Sequence, residues 1–91
     1  MPRRPLIKRE DELEVRELPN NEVFVYDRQQ RVTHHLSTEI ALVWERCDGT
    51  NRAADLERIV RLELNVTNVT EAKVTVREAI SRLDHLNLLQ R

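Results

Sequence analysis

Apolar and polar positions along this 91-residue chain change period near residue 36. Before that point the pattern suits strands. Residues 22–27, Glu-Val-Phe-Val-Tyr-Asp, are rich in the β-branched and aromatic side chains that fit a pleated, half-buried surface. Residues 31–36 alternate, with Val32, His34 and Leu36 on one face and Arg31, Thr33 and His35 on the other. The polar stretch between them has hairpin length, and residues 13–18 form a weaker third strand ended by the turn cluster Pro19-Asn20-Asn21.

After Ser37 the period becomes helical. Ile40, Ala41, Val43, Trp44 and Cys47 share one face. Ser37 is expected to cap this helix through its hydroxyl, and Gly49 to end it in the left-handed conformation. A second helix starts near Asn51 or Arg52, with Ala53, Leu56, Ile59 and Val60 on its buried stripe. The third, from about Thr70 to Leu86, carries the longest stripe: Val69, Ala72, Val76, Ala79, Ile80, Leu83 and Leu86. Asn87 is expected to take a left-handed cap, after which Leu88 and Leu89 fold back as an apolar tail. The order predicts an α+β fold with winged-helix-like contents, a three-stranded antiparallel sheet followed by three helices that cover its apolar face.

Composition narrows the picture. Apolar residues make up 40% of the chain, with one Phe, one Trp and one Tyr, so aliphatic side chains must fill a small core. Residues 1–12 are charged, hold two prolines and read as a flexible N-terminal arm, leaving 13–91 as one domain. The 15 basic and 16 acidic residues leave a net charge of −1, without the basic excess that phosphate binding favours. A single cysteine makes an intramolecular disulfide impossible, which fits a reducing cytoplasm. No stretch approaches the ~20 apolar residues of a membrane span, and no apolar signal-peptide core follows Met1. The Asn65-Val-Thr and Asn68-Val-Thr acceptor patterns are therefore read as chance.

The candidate chemistry is thin. Cys47 lies at a helix C-terminus, where the dipole opposes a thiolate, and on an apolar face. A small buried thiol is the better reading than a nucleophile. His34 and His35 point to opposite faces of a strand, so they and His85 make a poor metal set. One glycine is too few for a phosphate-cradling loop. Neither a catalytic residue nor a cofactor or metal is expected. Lys73, Arg77 and Arg82 on the third helix suit DNA, the alternative function, but Glu71, Glu78 and Asp84 interleave with them. What remains is a surface. Depending on strand order, 22–27 or 31–36 is an open sheet edge, able to take a strand from another chain or to be kept solitary by its charges. Pairing of that edge with its own copy would make a homodimer.

Residues 36–49, Leu-Ser-Thr-Glu-Ile-Ala-Leu-Val-Trp-Glu-Arg-Cys-Asp-Gly, resemble the "L-N-x-(S/T)-A-x-x-(I/V)-W-x-L-C-D-G" stretch of PqqD-like proteins, the recognition elements for ribosomally synthesised precursor peptides. Leu56 stands where that family has the isoleucine of its second helix, and Val76 to Leu83 with Leu88-Leu89 is similar to its C-terminal pattern. Ser37 replaces the usual Asn and Asn87 the usual Gly, and both suit the same local geometry. The resemblance covers about residues 22–89. It implies a peptide chaperone that takes a precursor's leader as an added strand on Arg31, Val32, Thr33, His34, His35 and Leu36. The leader's side chains would then lie against the third helix, Glu71 to Leu86, with Lys73, Val76, Arg77, Ile80, Leu83 and Asp84 as the chosen contacts and the groove-facing flank left open by one or two positions. It also implies a maturation enzyme as partner, such as a radical SAM enzyme, which would supply the catalysis.

Overall fold

The computed structural model describes residues 6–90 and has the α+β order anticipated from the sequence: three strands, then three helices. β1 spans Leu13–Glu17, β2 Val23–Asp27 and β3 Val32–Leu36. They form one antiparallel sheet in the order β1-β2-β3. β2 is central, so β3 and β1 are the edges.

The register shows how the sheet gains its two faces. Val25 lies between Val15 and His34, and Val23 between Glu17 and Leu36. Val23, Val25 and Asp27 are buried, while Phe24 and Tyr26 point to the opposite, more open face. A turn of four residues joins β2 to β3. It closes with the Arg31 amide donating to the Asp27 carbonyl at 2.7 Å, and Arg31 takes a φ of 58°. Arg31 therefore belongs to the turn, one residue outside the strand expected to contain it.

α1 spans Thr38–Glu45, α2 Ala53–Glu63 and α3 Val69–His85. α1 packs on β3 and α3, and α3 also packs on α2. The three helices and the covered face of β2 enclose an aliphatic core in which Trp44 is the one aromatic side chain. Val69 is 49% exposed rather than part of that core, because it is the first helical residue and lies at the outer end of the Ala72-Val76-Ala79-Leu83 stripe.

The helix ends follow side-chain chemistry. Asn68 caps α3, its carbonyl accepting from the Glu71 amide at 3.1 Å. At the other end Asn87 takes a φ of 62°, as expected. The Asn87 amide donates to the Asp84 carbonyl and the Leu88 amide to the Leu83 carbonyl, the Schellman pair of bonds. This reversal buries Leu88 and Leu89, and the Leu88 carbonyl accepts from the Trp44 indole at 2.9 Å.

Two expectations for α1 are corrected. Ser37 is its N-cap residue, but the hydroxyl makes no capping bond; the Thr38 hydroxyl instead donates to the Asn20 carbonyl. The helix also stops at Glu45, ahead of Gly49. Gly49, at φ 91°, serves the next turn, where its amide donates to the Leu6 carbonyl at 3.0 Å.

Leu6 to Arg9 is the largest departure. A flexible arm was expected over 1–12, of which residues 1–5 lie outside the described residues. Ile7 bridges to Asp48 and Lys8 to Leu89. Arg9 is 7% exposed and Asp27 0%. The guanidinium grips the Asp27 carboxylate with two bonds, of 2.8 and 3.2 Å, and also donates to the Asn87 carbonyl and the Gln29 side chain. Asp27 further accepts the Gln29 and Gln30 amides of the hairpin turn. The physical reason is parity: Asp27 falls on the covered face of β2, and a carboxylate there requires a cation.

Candidate peptide-binding edge and groove

β3 ends the sheet, so one side of its backbone has no neighbouring strand among the described residues. On such a strand alternate residues turn their N–H and C=O groups outward. Between Val32 and Leu36 there is no Lys, Arg, Asp or Glu. The other edge, β1, carries Glu14, Arg16 and Glu17 in five residues. Charged side chains are a standard guard against edge pairing, and here β1 has them while β3 does not.

The side chains of β3 divide by face. Val32, His34 and Leu36 pair with the buried positions of β2. Leu36 is fully buried, Val32 is exposed, and His34 is half-buried with its Nε2 shielded from solvent and unpartnered among the described residues. On the opposite face Thr33 is exposed, and His35 bonds to Glu22 while its ring tilts against Phe24 at 5.1 Å.

Beside the C-terminal end of β3 lies an open groove of ≈ 700 Å³. His35 and Ser37 form one wall, and Glu71, Thr75, Glu78 and Arg82 of α3 another. Ile40, Leu64, Val66 and Ala79 supply its apolar surface, and Glu39 stands at its margin. The α3 residues recur every three or four positions and so line one flank of the helix.

That flank adjoins the one chosen from the sequence, which left the groove-facing side open. Val76 is 1% exposed and Leu83 0%, so both are core residues with almost no surface to offer a ligand. Their burial follows from the centre of the stripe that seals α3 against the rest of the protein. Lys73, Arg77, Ile80 and Asp84 fall on the other side of that stripe. Ile80 packs against the core, and the other three are exposed. The groove residues Glu71, Thr75, Glu78 and Arg82 were not placed in a peptide site from the sequence. The signal was weak, because a 3.6-residue pattern shows which stripe is buried but not which polar flank adjoins the sheet edge.

Cys47 is fully buried, and its thiol donates to the Val43 carbonyl at 3.1 Å. Burial and the neighbouring Asp48 push the thiol up to about 11, so little thiolate exists near neutrality. Among the described residues no group of three or more His, Cys, Asp or Glu is disposed to hold a metal ion, and no helix is long and apolar enough to cross a membrane.

Comparison with protein-family models, curated proteins and solved structures returns no match.

Proposed function

We propose that this protein is a cytoplasmic peptide-binding chaperone of the PqqD-like kind, which captures the leader of a ribosomally synthesised precursor on β3 and presents it to a modifying enzyme. The observation that carries this reading is the uncharged open edge of β3 with a groove running from it to α3. An extended leader pairing with β3 satisfies the outward amides and carbonyls, which gives affinity with little demand on sequence. Alternate side chains of the added strand then turn toward the groove, where α3 and α1 discriminate among them. The chemistry belongs to the partner, and the buried Cys47 has no part in it.

The resemblance carried by residues 36–49 supports this reading. DNA binding is the weaker alternative, because the exposed charges of α3 are Glu71, Lys73, Arg77, Glu78, Arg82 and Asp84, three of each sign. The deciding experiment is a titration of isotope-labelled protein with the leader of a precursor encoded next to it. Amide shifts are expected at residues 32–36 and at Thr75, Glu78 and Arg82. Proline at Thr33 and proline at His34 remove amides that point to opposite sides of β3. The variant that loses the outward amide keeps its fold and loses about 1 kcal/mol or more of binding. Shifts confined to other surfaces, or full affinity in both folded proline variants, would refute strand addition.

A further inference from the structure

The groove beside β3 is electrically lopsided. Glu39, Glu71 and Glu78 contribute carboxylates, against a single guanidinium from Arg82. None of these four side chains makes an ion pair within the described residues. Glu39 and Glu71 sit in the first turns of α1 and α3, where a negative charge offsets the helix dipole and needs no ligand to explain it. Glu78 is different. It lies in the middle of α3, far from either end, and although Arg82 follows four residues later the two do not pair. The surface between these charges is apolar, made by Ile40, Leu64, Val66 and Ala79.

We propose that this groove selects an extended peptide segment whose groove-facing side chains are aliphatic and include lysine or arginine opposite Glu78, with Glu71 and Glu39 adding to the attraction. The inference rests on the strand-addition reading above and adds the chemical class of the ligand. An added strand presents a side chain to the groove about every 7 Å, and Glu71 and Glu78 are about 10 Å apart along the helix axis. One or two cations on alternate positions of the strand therefore reach this carboxylate row. A leader bearing acidic residues at those positions is repelled by three carboxylates and attracted by one guanidinium.

The test uses the full chain and two short synthetic peptides. Both carry leucine and valine on alternate positions; they differ only in having lysine or glutamate at the remaining groove-facing positions. Exposed ion pairs are individually weak, so two or three together are expected to favour the lysine peptide about tenfold, or ~1.4 kcal/mol. That preference should shrink as salt is raised and vanish in Glu78→Lys, which leaves two carboxylates against two cations. Glu78→Gln, which keeps the shape and helix preference, should lose part of it. Equal binding of both peptides with shifts at residues 32–36 would overturn the charge inference and leave strand addition standing. Tighter binding of the glutamate peptide would do the same. Failure of both peptides to shift β3 would overturn the two readings together. A dimer paired through β3 that neither peptide dissociates would assign the edge to a second copy and also overturn the proposal.

Discussion

Asp27 shows what one residue can fix. Its carboxylate is the point where the N-terminal segment, the hairpin turn and the end of α3 meet through Arg9. Hydrogen bonds from Arg9, with the turn amides adding to them, hold its carboxyl below the usual 3.8 despite the opposing cost of burial. A depressed carboxyl stabilises the fold fully above the ordinary value, and this contribution is lost as pH falls through the native one. Asp27→Ala should therefore cost about 3 kcal/mol at neutral pH, measured by urea unfolding. The gap between wild type and variant should narrow as the pH drops below 3.8. A gap unchanged by acid would show that the charge is not what matters. Cys47 is the quieter case: its thiol should react with iodoacetamide at mildly alkaline pH far more slowly in the native protein than in urea, because it is buried and stays protonated. In the sequence, the burial of Cys47 could be read from its place in the apolar periodicity with Val43 and Trp44, although α1 itself ends two residues earlier. Arg9 could not, since its partner lies 18 residues away and nearer acids compete for it in the sequence. The only hint was an acid on the covered face of β2.

Elements differ in how their ends are made, and the difference is measurable. Asn68 supplies a side-chain acceptor to α3, whereas Ser37 gives none to α1. Asn68→Ala should lose about 1 kcal/mol of stability, and Ser37→Ala less than about 0.5 kcal/mol; equal losses would contradict the capping geometry. Gly49 stands at φ 91°, with the nearest atom to an added Cβ being Ile7 Cγ1 at 3.6 Å. Space is adequate there, so Gly49→Ala should cost about 1 kcal/mol through backbone strain alone, read from thermal unfolding. The types and order of the elements were legible because each segment keeps one period over its length. The strand ends were legible within a residue, for Pro19-Asn20-Asn21 and the polar 27–30 stretch are unambiguous turn chemistry. The end of α1 was not. Gly49 is a strong stop signal by itself, but α1 had already given way at Arg46 to a stretch whose backbone bonds to Leu6 and Lys8.

On the scale of the molecule, both ends of the described chain are built into the fold. The segment Leu6 to Arg9 lies between the stretch after α1 and the C-terminal Leu88-Leu89, bonding to each. Removing residues 88–91 deletes two buried leucines and the acceptor of the Trp44 indole. Such a truncation should abolish cooperative unfolding in calorimetry, and a sharp transition near the full-length temperature would refute the role given to that tail. The sequence by itself determined the secondary structure, the covered faces and the buried state of Cys47, because periodicity and turn chemistry are local properties. It left the open edge undecided between two strands. Tertiary structure alone made β2 central and β3 terminal, paired Arg9 with Asp27, and turned Glu71, Thr75, Glu78 and Arg82 rather than Lys73 and Arg77 toward the groove. Those outcomes depend on which surfaces meet when the helices close over the sheet, and that meeting is set by packing between residues far apart in the chain.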